Sequence, residues 1–268
     1  MFVHDFNPIL INFGFLEIRW YSLAYIFGIL LGWVLGRKII EYKLKNEKVD
    51  LVKSLKKFED LISYIVIATI LGGRLGYVLF YNFNYYLNNP IEIFKIWQGG
   101  MSFHGALLGI ILVTYVFSNK EKIKPFFYLD VISCVAPIGL FFGRLANFVN
   151  AELYGKPTAA SWAVIFPNVD NVPRHPSQLY EALLEGVVLF SILIFVTFFS
   201  KQVRIGICSS LFLIFYGIFR MFAEQFREPD EQIGYLFNFI SMGSVLSILM
   251  ILAGVFIFLR VNQNEKYN

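Results

Sequence analysis

Seven apolar runs, more than any motif, decide what this chain can fold into. They lie at about 20–36, 61–81, 103–118, 129–148, 181–199, 206–223 and 240–260, and a helix needs about 20 predominantly apolar residues to cross a bilayer, with some latitude for tilt. A soluble core has no use for so much apolar surface: 57% of the 268 residues are hydrophobic and only 16% are charged, with a mean hydropathy of +0.61. Lipid is therefore the expected solvent for most of the chain. The expected fold is an all-α polytopic membrane protein with seven transmembrane helices. One membrane-embedded domain covering 1–268 is expected, because no low-complexity stretch or internal repeat divides it. The third run is short and the fourth contains Pro137, so their ends are approximate.

Lys and Arg in the connections set the orientation. Fifteen of the 23 fall on one face, in 37–60, 119–128, 200–205 and the C-terminal tail. Five fall on the other, Arg19, Lys95, Lys156, Arg174 and Arg227, and Arg74, Arg144 and Arg220 lie within runs. The N-terminus is therefore expected outside and the C-terminus in the cytoplasm. This asymmetry absorbs the net charge of +4, and no basic stretch is interleaved with aromatics in a way that suits nucleic acid. Residues 1–19 lack the basic start of a secretory leader and read as an interfacial segment. Cys134 and Cys208 lie inside apolar runs without metal-site spacing and read as packing residues. Glycines four apart, Gly28, Gly32 and Gly36, then Gly72 and Gly76, then Gly105 and Gly109, predict close helix contacts.

Ionisable groups within spans are costly, about 2.5 kcal/mol or more each at the bilayer centre, so their depth is informative. His104 begins a span entered from outside. Arg144, Asn147 and Asn150 end an outward span, as do Arg220, Glu224 and Arg227, while Tyr25 and Arg74 lie in outer halves. All of them fall at one depth, near the outer leaflet. Arg144 with Asn147, and Arg220 with Glu224 and Arg227, have the three- and four-residue spacing of a shared helical face. A purely structural ion pair explains Arg220 with Glu224 almost as well as a site does, and a snorkelling role suits Arg74 equally. Ser102 is placed to cap the helix that carries His104 in its first turn, where the positive end of the helix favours a neutral imidazole and a nearby anion. The connection at about 149–180 is the longest on the outer side and has the length of a loop or lid. Within it His175-Pro176-Ser177-Gln178 suits a turn before a helix, with Glu181 near that helix's start.

The segment Gly143-Arg144-Leu145-Ala146-Asn147-Phe148-Val149-Asn150-Ala151-Glu152-Leu153-Tyr154-Gly155 resembles the signature of the bacterial phosphatidylglycerol:prolipoprotein diacylglyceryl transferases. Arg19-Trp20-Tyr21 leading to Tyr25, Gly73-Arg74, Ser102-Phe103-His104-Gly105, the stretch from His175 to Glu181, and Arg220 to Asp230 are similar to further segments of that family. Ala106 departs from the pattern, which leads one to expect a second glycine there. The resemblance implies seven transmembrane helices, no metal or organic cofactor, and a site toward the outer leaflet of the bacterial cytoplasmic (inner) membrane. It implies two substrates, phosphatidylglycerol and the lipobox cysteine of a prolipoprotein signal peptide. The functional positions it implies are Tyr25, His104, Arg144, Asn147, Glu152, Gly155, Arg220 and Glu224.

On that resemblance the expected reaction is a displacement in which a thiolate attacks the glycerol carbon and glycerol phosphate departs. A thiol of pKa about 8.5 needs help to ionise at neutral pH, and the departing phosphate needs its charge held. His104 is the candidate base, with Arg144 and Arg220 as forked phosphate ligands. Tyr25, Asn147, Glu152, Gly155 and Glu224 are candidates for substrate binding. A variant in which an arginine field ionises the thiol while His104 holds lipid stays open. Two other classes compete. A transporter for an anionic solute would carry polar residues along a whole route, whereas here they stop at one depth. A membrane hydrolase would need a Gly-x-Ser-x-Gly elbow, a His-Glu-x-x-His helix or paired aspartates, none of which occurs in the sequence.

Overall fold

The computed structural model describes residues 1–14, 17–45, 47–96, 99–200, 204–228, 235–236 and 240–261. Asp230, the C-terminal tail beyond Val261 and the side chain of His104 lie outside the described residues. Helices dominate: α1 (Trp20–Leu44), α2 (Leu51–Phe80), α3 (Phe83–Asn88), α4 (Phe103–Lys120), α5 (Pro125–Val149), α6 (Ser177–Glu181), α7 (Leu189–Phe199), α8 (Ile207–Glu224) and α9 (Met242–Arg260). A π-helical segment, Ala182–Val188, joins α6 to α7. Six helical stretches are long and apolar enough to cross a membrane: α1, α2, α5, Ser177–Phe199, α8 and Gly243–Arg260. Gly105–Lys120 is a shorter apolar helix. The chain is thus a multi-pass membrane protein.

The helices overrun their apolar runs. α1 continues past Gly36 through Arg37, Lys38 and Lys43, and α2 begins at Leu51, where Asp50 accepts a hydrogen bond from the Lys53 N–H at 3.1 Å. Lys, Glu and Leu are good helix formers in water, so a helix need not stop where the apolar residues do.

Two compact units form, one from 43–129 and one from 1–42 with 130–268. Within the first, α2 and α4 meet through their glycines. A Cβ on Gly72 would lie 2.5 Å from the Gly105 carbonyl oxygen, and one on Gly109 would lie 2.6 Å from that of Ala68. The spacing of four is thus used for backbone contact. Ser102 caps α4 as expected, accepting from the Gly105 N–H at 3.2 Å.

In the second unit a Cβ on Gly28 of α1 would lie 3.1 Å from Gly139 Cα of α5. The buried Asp130 carboxylate of α5 accepts from the Gly206 N–H at 2.7 Å, and from the Ser209 N–H and hydroxyl at 2.8 and 2.7 Å. Donors left over at the start of α8 are thereby satisfied from a neighbouring helix. Cys134 and Cys208 are both buried, each with its sulfur against the Thr197 hydroxyl.

The stretch between α5 and α6 carries short strands that the sequence reading treated as loop. Strand β4 (Val164–Ile165) pairs antiparallel with β5 (Pro173–Arg174) and parallel with β1 (Phe2–Val3) at the N-terminus. Two-residue strands leave no alternation to detect. Ala151, Val164 and Phe166 form a small core, with Phe148, Tyr154 and Val169 packed on it. The buried His4 joins it through Nε2, which donates to the Phe148 carbonyl at 2.8 Å. Residues 9–12 and 17–19 form the hairpin of β2 (Ile9–Asn12) and β3 (Glu17–Arg19).

Candidate active site

Apolar helices expose no water to a charge, so every arginine they carry must find a partner within the protein. Arg144 on α5 places Nε 2.8 Å from Glu181 Oε2 and Nη2 3.1 Å from Glu185 Oε2. Arg220 on α8 places Nη1 3.0 Å from Glu181 Oε1 and 3.8 Å from Glu185 Oε1, and Nη2 2.9 Å from Glu224 Oε2. Glu181 and Glu185 are fully buried, and the Arg144 and Arg220 side chains are 14% and 11% exposed. Arg227 also reaches Glu181, at 3.7 Å. Two arginines from different helices therefore share one pair of carboxylates on a third.

The arrangement around those carboxylates is loose. Arg144 Nη2 donates a hydrogen bond to Glu185 Oε2, yet both Glu181 oxygens, Glu185 Oε1, Glu224 Oε2 and Arg220 Nη1 make no aligned hydrogen bond among the described residues. The contacts are ionic and several are poorly directed, and Arg220 Nη1 keeps hydrogen-bonding capacity for another anion. Glu185 lies in the π-helical segment, and the adjacent Gly186 lets α5 approach closely: a Cβ there would lie 2.7 Å from Phe141 Cβ. π-Helical turns occur often at functional sites.

A second polar group lies one turn along α5. Asn147 donates through Nδ2 to the Tyr21 hydroxyl and to Glu152 Oε2, both at 3.2 Å, and Asn150 reaches Glu152 Oε1 at 3.4 Å. The Tyr25 ring is exposed, with its centroid 5.4 Å from that of Tyr21. Glu152 is aimed at Asn147 by a turn in which Ala151 (φ 55°) and Leu153 (φ 56°) adopt left-handed backbone, each at a cost of about 1–3 kcal/mol. Gln178 and Ser177 of α6 hold this turn by donating to the carbonyls of Glu152 (2.7 Å) and Leu153 (2.9 Å). The turn and the helix that ends in Glu181 are thus fastened together.

The sequence-predicted residues therefore separate into groups. Arg144, Arg220 and Glu224 converge; Tyr25, Asn147 and Glu152 form the neighbouring set. Arg144 and Asn147 share a helix face but serve different partners. Gly155 contributes by close approach: its N–H donates to the His175 carbonyl at 2.9 Å, and a Cβ there would collide with the His175 carbonyl and lie 2.6 Å from that of Phe226. Arg227 lies beyond the end of α8 at Glu224 and pairs its backbone with Gly155, yet its side chain reaches Glu181 beside Arg220. His104 is the second residue of α4, in the unit 43–129. Arg74, in the same unit, donates to the carbonyls of Glu92, Ile93, Lys95, Gly99 and Gly100. His175 Nδ1 lies 3.1 Å from the Tyr180 hydroxyl, and burial shifts its imidazole pKa below the ordinary value.

Glu185 was missed, and Glu181 was read only as a residue near a helix start. Both carry a signal in the sequence: two acids four apart in an otherwise apolar run have the same cost of burial as the arginines.

The family model for prolipoprotein diacylglyceryl transferase matches residues 8–260. Proteins named phosphatidylglycerol–prolipoprotein diacylglyceryl transferase from Rickettsia felis and Rickettsia typhi are each 51% identical to the chain. The first aligns over 259 residues, 96% of this chain and 98% of the relative, and the second over 266, 98% and 99%. The Rickettsia akari protein of the same name is 50% identical over 260 residues. The chain belongs to the prolipoprotein diacylglyceryl transferase family.

Proposed function

We propose that this protein transfers the diacylglyceryl group of phosphatidylglycerol to the thiol of a lipobox cysteine in a prolipoprotein, forming a thioether and releasing glycerol phosphate. The observation that carries this reading is the convergence of Arg144 and Arg220 on shared, buried carboxylates, with Arg220 Nη1 left without a directed hydrogen bond among the described residues. Such a pair can bind a phosphodiester through two forks and hold its charge as the carbon–oxygen bond breaks. His104 is assigned the thiol proton, and Tyr25, Asn147, Glu152 and Glu224 the orientation of headgroup and arginines. Gly155 keeps the turn beside them tight.

The whole chain acts as one transferase domain of seven spans in the bacterial inner membrane, with the N-terminus outside, the C-terminus cytoplasmic and the site facing the outer leaflet. The 15-to-5 distribution of Lys and Arg supports that orientation. A cysteine placed at Asn168 is then labelled from outside the cell and one at Glu47 is not; the reverse pattern overturns the topology.

Incubating the protein with phosphatidylglycerol and a lipobox peptide, then weighing the peptide, tests the reaction itself: a mass gain of one diacylglyceryl group is expected. The His104 assignment is tested by the pH–rate profile of His104→Gln. Its rate is low at neutral pH and recovers in part as alkali ionises the thiol. Equal inactivity at every pH removes the base role.

A further inference from the structure

Among the described residues, three cations, Arg144, Arg220 and Arg227, and three anions, Glu181, Glu185 and Glu224, make up the charge cluster. Fully ionised, the cluster is neutral before any lipid arrives. A phosphodiester entering among them adds a negative charge that nothing balances, in surroundings where an uncompensated charge is strongly disfavoured. From this geometry we infer that Glu185 takes up a proton when the lipid phosphate binds, so that one anion replaces another and the cluster stays neutral. The inference rests on the reading of Arg144 and Arg220 as phosphate ligands.

Glu185, not Glu181, is the carboxylate that yields. Glu181 is held by three arginines, at 2.8, 3.0 and 3.7 Å. Glu185 has Arg144 at 3.1 Å and Arg220 only at 3.8 Å, and its Oε1 makes no hydrogen bond among the described residues. It is also fully buried, so once a phosphate takes its share of the guanidinium groups no water compensates it. The titratable groups facing it are Arg144 from α5, Arg220 and Tyr216 from α8, and Glu181 on its own helix. Since the arginines stay charged and a phenol ionises far above neutrality, the competing sites for the proton are Glu181 and Glu224, which keep an arginine nitrogen at 2.8 and 2.9 Å, nearer than the 3.1 Å of Glu185. Glu185 acts in this scheme as a resident substitute for the lipid phosphate: it keeps the arginines in place in the empty site and gives way without leaving a buried charge.

Proton uptake makes binding weaken as pH rises. Where the empty site has lost the proton and the complex holds it, affinity falls about tenfold per pH unit. The lipid phosphodiester is itself ionised throughout, so the proton must go to the protein. The test is calorimetric titration of the full-length protein, in maltoside micelles free of phosphate, with a short-chain phosphatidylglycerol in buffers of different ionisation enthalpy. The wild-type protein is expected to take up about one proton per lipid bound. Glu185→Gln, whose empty cluster carries one net positive charge, is expected to bind without uptake and with an affinity insensitive to pH, and uptake of about one proton by Glu185→Gln overturns the inference.

A second readout does not depend on a variant folding: adding lipid to the wild-type protein should raise the infrared band of a protonated carboxyl. Binding that is weakened by Arg144→Gln and Arg220→Gln but shows neither proton uptake nor the carboxyl band overturns the inference and leaves the phosphate reading standing. Binding unaffected by either arginine substitution overturns both.

Discussion

Arg74 and the pair Arg144 with Arg220 are all arginines in apolar helices, and they are satisfied in opposite ways. Arg74, 4% exposed, donates to five backbone carbonyls between Glu92 and Gly100 and lies 5.2 Å over the Tyr86 ring. Its hydrogen bonds are met, and among the described residues none goes to a carboxylate. Arg144 and Arg220 have their charge balanced by carboxylates, with few of their hydrogen bonds directed. An arginine wrapped by carbonyls has nothing to exchange, because neutral backbone cannot leave; it organises a loop. An arginine held by poorly aligned side-chain anions can accept a better one. The difference between a fixed arginine and one able to exchange its partner lies in the partner's charge and mobility, not in the arginine.

Removing the cation tests that contrast most severely. Arg144→Ala or Arg220→Ala leaves Glu181 and Glu185 facing each other underneutralised, and breaking a buried pair in this way costs about 3–5 kcal/mol. A large fall in thermal stability in detergent is expected, partly reversed by adding Glu185→Gln to the same chain. No reversal would mean that packing, not charge, was lost. Arg74→Ala comes next. It orphans carbonyls of 92–100 and should destabilise the protein by roughly 2–3 kcal/mol, with faster hydrogen exchange in 83–102. Here a neutral donor such as Gln should recover part of the loss, which it should not do for Arg144.

Keeping the charge but removing the fork has a smaller effect, and a more selective one. Arg144→Lys and Arg220→Lys leave the cluster neutral, so the fold is expected to persist. An ammonium is a point charge that cannot hold two phosphate oxygens in one plane, so the transfer rate should fall more than about tenfold, or about 1.4 kcal/mol of barrier. Arg74→Lys should alter the rate of the folded enzyme less than either, and an equal loss would erase the distinction between the regions.

The sequence was legible wherever a long pattern repeated. Apolar runs located the helices, glycines four apart located the α2–α4 contact, and Ser102 was recognised as a cap, because each rule concerns neighbours along one helix. The reading failed where partners come from distant positions. Arg220 with Glu224 is local and was noticed; Arg144 with Glu181 and Glu185 spans about forty residues, and periodicity carries no information across that gap. The Ala151 and Leu153 backbone was equally hidden, since neither residue type favours the left-handed region and only the surrounding hydrogen bonds impose it. β1 and β4 were invisible for the same reason: strands of two residues, paired across the chain, have no signature of their own.

The smallest effect concerns the stretch before α6, where charge is balanced outside the spans. Arg174 donates to both Asp170 oxygens and to Glu228, and these hydrogen bonds hold the Asp170 carboxyl below its ordinary pKa. A carboxylate with a lowered folded-state pKa contributes stability above its unfolded value, and that contribution is lost as pH falls through the folded value. His175 is shifted down by burial, so its folded form prefers to stay neutral. Protonation then favours the unfolded chain, and stability is lost as pH falls below the unfolded imidazole value, a higher window than that of Asp170. The two signs agree: acid loosens this region in two steps, the imidazole first. Trp162 reports on it directly, because its Nε1–H donates to the Tyr180 hydroxyl at 2.8 Å and that hydroxyl lies 3.1 Å from His175 Nδ1. The indole N–H resonance of Trp162 should shift first through the histidine range and again through the carboxylate range. His175→Gln should remove only the first step and Asp170→Asn only the second, with the rate of diacylglyceryl transfer at neutral pH changed less than by either Arg→Lys substitution. A single acid transition, untouched by His175→Gln, would mean that the imidazole is not part of the balance and that Arg174 alone holds the strand.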